Sequence, residues 1–163
     1  MIHVSLITAS YGFLGLGAIL AFLTLMLFSF KTKMNANRVE LSIKELSMIN
    51  EQTLTLGLVM LTIGNFLGAV WANESWGRYW GWDPKETWAL VTILVYSAII
   101  HFRLIPKLKS FYAFNVGALL AFGSVIMTYF GVNYYLSGLH SYAAGDPVPI
   151  PVFVYYMVAI ALL

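Results

Sequence analysis

The chain has no cysteine, and only 10% of its residues are charged. The first absence excludes disulfides and thiolate metal sites and leaves the redox compartment open. The second sets the sequence apart from soluble domains, where about a quarter of residues are charged. A formal net charge of +2 is too small to mark a nucleic-acid binder, so no such partner is expected. The apolar start MIHVSLITASYG carries no basic residue and is not expected to be an ordinary signal peptide. Internal repeats and low-complexity stretches are absent too.

What the chain has instead is apolar mass, with 60% hydrophobic residues. Four runs reach the roughly 20 residues that a bilayer crossing takes: Val4–Phe30, Leu54–Ala72, Pro84–Leu104 and Phe111–Tyr135. A fifth, Pro151–Leu163, reaches only about 20 Å at helical rise and ends without a cap or a basic flank, as in a fragment. The fold expected is all-α: a polytopic transmembrane helix bundle of about five spans. Lys31, Lys33, Arg38 and Lys44 lie between spans one and two, and Arg103, Lys107 and Lys109 between three and four. By the positive-inside rule these face the cytoplasm. The N-terminus, the segment around Arg78 and Lys85, and the loop Leu136–Ile150 then share the outer face. The stretch NRVELSIKELSMI puts Val39, Ile43 and Leu46 at helical spacing. It reads as a short amphipathic helix on the inner surface or as a solvated linker. Gly64 and Gly68 form G-x-x-x-G, a helix-packing signal of low specificity.

All five tryptophans fall within Trp71–Trp88, the sequence WANESWGRYWGWDPKETW. An interfacial belt accounts for one or two of them. A cluster of every indole at one outer loop fits better a shelf for a large, flat apolar ligand. Within it, Asp83, Pro84 and Glu86 form an N-cap, first-turn proline and capping box, so the loop is expected to run directly into span three. Asp83 and Glu86 then either cap only or also shape a ligand site.

The three histidines divide by depth. His3 and His140 flank the spans at the outer face, level with the tryptophans. Two imidazoles over a shelf of indoles describe a bis-histidine haem site, set against two histidines resting among headgroups. Zinc fits less well, for want of cysteine ligands. His101 lies about 26 Å along span three from Pro84, near its inner end. It reads either as a functional intramembrane ionisable group, serving a second haem site, or as a histidine hydrogen-bonded between helices.

The segment WGRYWGWDPKETWAL, followed by HFR and GVNYYLSGLHSYA, resembles the WWD signature of haem-handling membrane proteins. Within that group it is similar to the CcsA (ResC) family of system II cytochrome c biogenesis, over nearly the whole chain. The resemblance implies haem b as cofactor, with His3 and His140 as axial ligands of an outer haem and His101 as a ligand of an inner one. It implies a platform of Trp76, Trp80, Trp82 and Trp88 with Tyr79 alongside and Asp83 and Glu86 at its edge. Arg78 or Lys85 then pairs with a haem propionate or with lipid headgroups. The family's second intramembrane histidine has no counterpart in this sequence.

The implied unit is a single transmembrane haem-handling domain over 1–163, truncated at both ends, either partnered with a separate CcsB or part of a fused CcsB–CcsA protein. The implied function is haem transport across the bacterial inner (plasma) membrane and attachment to apocytochrome c, as part of a holocytochrome c synthase (haem lyase). The implied partners are a CcsB/ResB-like subunit, an apocytochrome c with a C-x-x-C-H motif, and the lipid bilayer. Two rivals stand beside this reading: a CcmC-like chaperone loading a separate haem carrier, and a membrane electron-carrying haem subunit.

Overall fold

A computed structural model describes residues 2–136, 138 and 152. Helix α1 (Ile2–Ser29) turns back through a short link into α2 (Ala36–Trp76). Helix α3 (Pro84–Ile100) ends in a 3₁₀ turn, His101–Leu104. Helix α4 (Phe111–Ile126) passes through a π turn, Met127–Gly131, into the short α5 (Val132–Tyr135). Among the described residues four helices are long and apolar enough to cross a membrane: Ile2–Ser29, Ala36–Trp76, Pro84–Leu104 and Phe111–Tyr135. The expected all-α membrane bundle is present. The fifth expected span falls outside the described residues apart from Val152.

Helices α1 and α2 form one antiparallel hairpin, and glycine sets its closeness. A Cβ on Gly64 would lie 2.8 Å from Ile7 Cγ1 and 3.3 Å from the Ile7 nitrogen. One on Gly57 would lie 2.8 Å from Leu14 Cδ2, and one on Gly68 would lie 3.7 Å from His3 Cδ2. Gly17 in turn receives Leu54. Each step down α1 is matched by an equal step up α2, as far as the Lys31–Glu40 ion pair at 3.0 Å beside the bend. The G-x-x-x-G of α2 is thus the seat of the first turns of α1, where close backbone approach gives the packing contact that lipid cannot supply.

The expected inner-surface helix is not a separate element. NRVELSIKELSMI is the beginning of α2, which runs 41 residues without a break. Neither glycine nor proline interrupts Ala36–Leu56, so nothing stops the helix from propagating. At helical rise α2 is about 60 Å long, twice the hydrocarbon thickness of a bilayer. Its first turns project past the end of α3, where Arg103 meets Glu51 at 2.7 Å. Their inner face is held by polar contacts: buried Asn115 of α4 accepts from Asn50 at 3.1 Å and donates to Ser47 at 2.8 Å.

Leu14, Leu54, Leu61, Tyr96, Ala118, Ala121 and Val125 form the buried centre of the bundle. Near the other end, the Thr92 and Thr128 hydroxyls meet at 3.0 Å beside the Trp88 carbonyl. These contacts align α3 with α4 and leave the α2–α3 link at one end of the bundle, the Trp end. The basic links lie at the opposite, Lys end.

Candidate functional site

Two left-handed residues frame the link between α2 and α3. Gly77 ends α2 at φ 71° and ψ 19°, a conformation that glycine takes without a Cβ penalty. Trp82 takes φ 57° although its side chain is bulky, at a cost of about 1 kcal/mol or more. One carboxylate holds it there. Glu86 Oε2 accepts the Gly81 N–H at 2.7 Å and the Asp83 N–H at 3.3 Å, so the amides on either side of Trp82 converge on one oxygen. Asp83 accepts the Lys85 N–H at 3.4 Å and caps α3, with Pro84 in the first turn. The expected capping box therefore also fixes a strained turn that leaves Trp82 72% exposed.

The five tryptophans are divided among three elements rather than gathered in one loop. Trp71 and Trp76 belong to the end of α2, Trp80 and Trp82 to the link, and Trp88 to α3. WANESW stays helical because the first residue able to end the helix is Gly77. The rings make two edge-on pairs: Trp71 with Trp76 at 5.0 Å, and Trp80 with Trp82 at 5.7 Å. Tyr79 stands 60% exposed between them in sequence.

His3 joins the first pair. Its ring lies 5.5 Å from that of Trp71, inclined by 31°, in the space that Gly68 leaves. The glycine-lined hairpin is what carries His3 to the Trp end. Arg78 is exposed, with its guanidinium folded over Gly81: a Cβ there would lie 2.8 Å from Nη2. Lys85 turns the other way, and its Nζ donates to Asn133 Oδ1 at 3.0 Å. Of the two cations weighed for a propionate, Lys85 is thus engaged within the bundle and Arg78 lies at the exposed turn.

After α5 the chain returns to this turn at Gly138. A Cβ there would overlap Asp83 Oδ1 and come within 2.9 Å of both Asp83 Oδ2 and Pro84 Cδ. His140, two positions on, lies outside the described residues. The Gly138 approach and the Lys85–Asn133 bond went unread in the sequence; their only mark is a glycine and an asparagine among apolar neighbours.

His101 is at the Lys end, where it caps α3 and is exposed. Its Nδ1 lies 2.6 Å from the Ser97 carbonyl. A carbonyl only accepts, so Nδ1 is the donor in this contact. His101 and His3 sit at opposite ends of the bundle and cannot share one iron. Among the described residues there is no group of three or more His, Cys, Asp or Glu side chains placed to hold a bare metal ion.

This arrangement, two helix ends clasping a tryptophan-rich turn, agrees with the comparison with known families. Residues 1–140 match the family described as Cytochrome C assembly protein. The chain belongs to that family. It is 57% identical over 148 residues to Protein NrfI of Wolinella succinogenes, covering 91% of this chain and 16% of that protein. To the cytochrome c biogenesis protein CcsA of Guillardia theta it is 40% identical, covering 87% of this chain and 53% of the relative. For CcsA of Chlamydomonas reinhardtii the identity is 42%, over 87% and 40%. The chain thus spans about half or less of these relatives. The resemblance carried by WGRYWGWDPKETWAL holds: this is a CcsA-like, multi-pass membrane protein of cytochrome c biogenesis.

Proposed function

We propose that the Trp end binds haem b between His3 and His140 and presents it for covalent attachment to apocytochrome c. The observation that carries this reading is the juxtaposition of His3 with the indole array at the same turn against which Gly138, two residues before His140, is packed. The residues suit such a substrate. The paired indoles and Tyr79 offer half-exposed aromatic faces for a porphyrin, and Arg78 supplies a cation at the exposed turn.

Haem supplies the vinyl groups and iron; the apocytochrome supplies two thiols from C-x-x-C-H. Each thiol adds across a vinyl group, forming a C–S bond, while its hydrogen goes to the other vinyl carbon. No oxidant or reductant enters that addition. The chain's residues act by position. His3 and His140 hold the iron, the indoles hold the ring, and the Glu86 clamp keeps the Trp82 turn from relaxing, so that thiol and vinyl meet in attack geometry. His101, whose Nδ1 is taken up by the Ser97 carbonyl, receives haem at the Lys end in a second site, completed by a histidine from a CcsB/ResB-like partner or fused half. The seven lysines and arginines of the Lys end set the orientation, with that end cytoplasmic and the Trp end outside the bacterial inner membrane. On this reading 1–163 is one haem-handling domain of a longer synthase.

The test is the absorption spectrum of the protein purified with its partner half. The wild type is expected to show low-spin bis-histidine haem. His3→Ala or His140→Ala loses that spectrum, and added imidazole restores it. If both variants keep the wild-type spectrum, the axial assignment fails.

A further inference from the structure

The Lys end carries a second concavity, remote from the tryptophans. A cleft of about 710 Å³ lies between the last turn of α1, the projecting turns of α2 and the start of α4. Phe28, Ile43, Phe111 and Tyr112 give it apolar walls, with Phe28 and Tyr112 in edge contact at 5.5 Å. Lys44 and Lys109, both exposed, also line it, and neither is in an ion pair among the described residues. A third lysine, Lys31, is already bound to Glu40 at 3.0 Å.

The depth of the cleft identifies its medium. The 21-residue span Pro84–Leu104 covers about 30 Å at helical rise, one hydrocarbon thickness. The Arg103–Glu51 bridge therefore marks the hydrocarbon boundary. Lys44 lies about two turns beyond Glu51 along α2, at headgroup depth. An occupant at that level meets the rings of Phe28, Phe111 and Tyr112, the ammonium groups of Lys44 and Lys109, and the Lys31–Glu40 pair, whose charges offset each other.

We propose that this cleft binds one anionic phospholipid, its phosphate at Lys44 and Lys109 and its glycerol ester region against Phe28, Phe111 and Tyr112. Charge complementarity selects the headgroup, because two cations outside any ion pair among the described residues line the cleft, where a zwitterionic lipid would bring its own positive group. The aromatic wall selects a lipid over a free anion, which gains nothing from apolar contact. No histidine lines the cleft, so it stands apart from the haem reading and does not depend on it.

The experiment is native mass spectrometry of the chain in neutral detergent, titrated with phosphatidylglycerol or phosphatidylcholine. One phosphatidylglycerol is expected to bind at roughly thirty-fold lower concentration, the factor that two surface cations supply. Lys44→Gln/Lys109→Gln abolishes that preference. Lys33→Gln/Lys107→Gln, which removes charge at the same end outside the cleft, keeps it. Equal binding of the two lipids, or an unchanged preference in the first variant, overturns the proposal. So does loss of preference in the second variant, which means bulk charge, or displacement by millimolar inorganic phosphate, which means a free-anion site.

Discussion

Lys85 and Asn133 are 48 residues apart in the chain and joined at 3.0 Å. The bond ties the first turn of α3, which holds the Trp82 clamp, to the last helical turn before the chain reaches Gly138. A wide π turn, Met127–Gly131, lies just before α5 in that span. The Trp82 turn and the approach to Gly138 are thus tied by this polar link, alongside the Thr92–Thr128 contact. Asn133→Leu is expected to destabilise the folded protein by about 1 kcal/mol. It is also expected to lower haem retention at the Trp end, while Asn133→Gln keeps part of both. Thermal unfolding in detergent and the haem absorbance measure the two effects; a wild-type Tm in Asn133→Leu contradicts the link.

Gly138→Ala puts a methyl group into the Asp83 carboxylate. Asp83 is expected to leave the α3 N-terminus, with a loss of about 1 kcal/mol from the cap and of most bis-histidine absorbance. Gly123→Ala is the control, because its Cβ meets nothing within 4 Å. Similar spectra from the two variants would show that the close approach has no bearing on the site.

Glu86→Ala frees the amides on either side of Trp82, and the backbone there is expected to relax out of its left-handed conformation. Haem retention should fall several-fold while the helix content of the bundle stays the same. Glu86→Gln keeps an acceptor oxygen and should recover much of the loss. Trp82→Gly separates ring from backbone: it keeps the turn and removes the indole. Full haem retention in Glu86→Ala would reduce Glu86 to a simple cap.

His101→Ala removes an exposed side chain and is expected to leave the unfolding temperature close to wild type. Total haem co-purified with the partner half should fall, with the Trp-end spectrum of the remaining haem unaltered in shape. Unchanged haem content would return His101 to a helix-capping role.

Much of this architecture is legible in the residues alone. The spans Pro84–Leu104 and Phe111–Tyr135 follow from hydropathy, and the start of α3 follows from Asp83, Pro84 and Glu86. G-x-x-x-G pointed to close helix packing, which α1 provides. The extent of α2 is less legible, because an amphipathic stretch and an apolar span share one helical period and no breaker divides them. The same physics hides the division of the tryptophans, since WANESW has the composition of a wet interface and the geometry of a helix end. Trp82 shows no sign of its left-handed φ, which is imposed by a carboxylate farther along the chain. The approach of Gly138 to Asp83 is a product of tertiary packing, and local sequence does not encode it.

The matched steps of α1 and α2 make their glycines interdependent. A single inserted residue within either helix turns everything beyond it by about 100° and carries each following glycine away from its partner. Between Phe30 and Asn35, by contrast, added length leaves every seat intact. Tolerance of insertions and deletions in the first half of this protein should therefore be confined to that one bend.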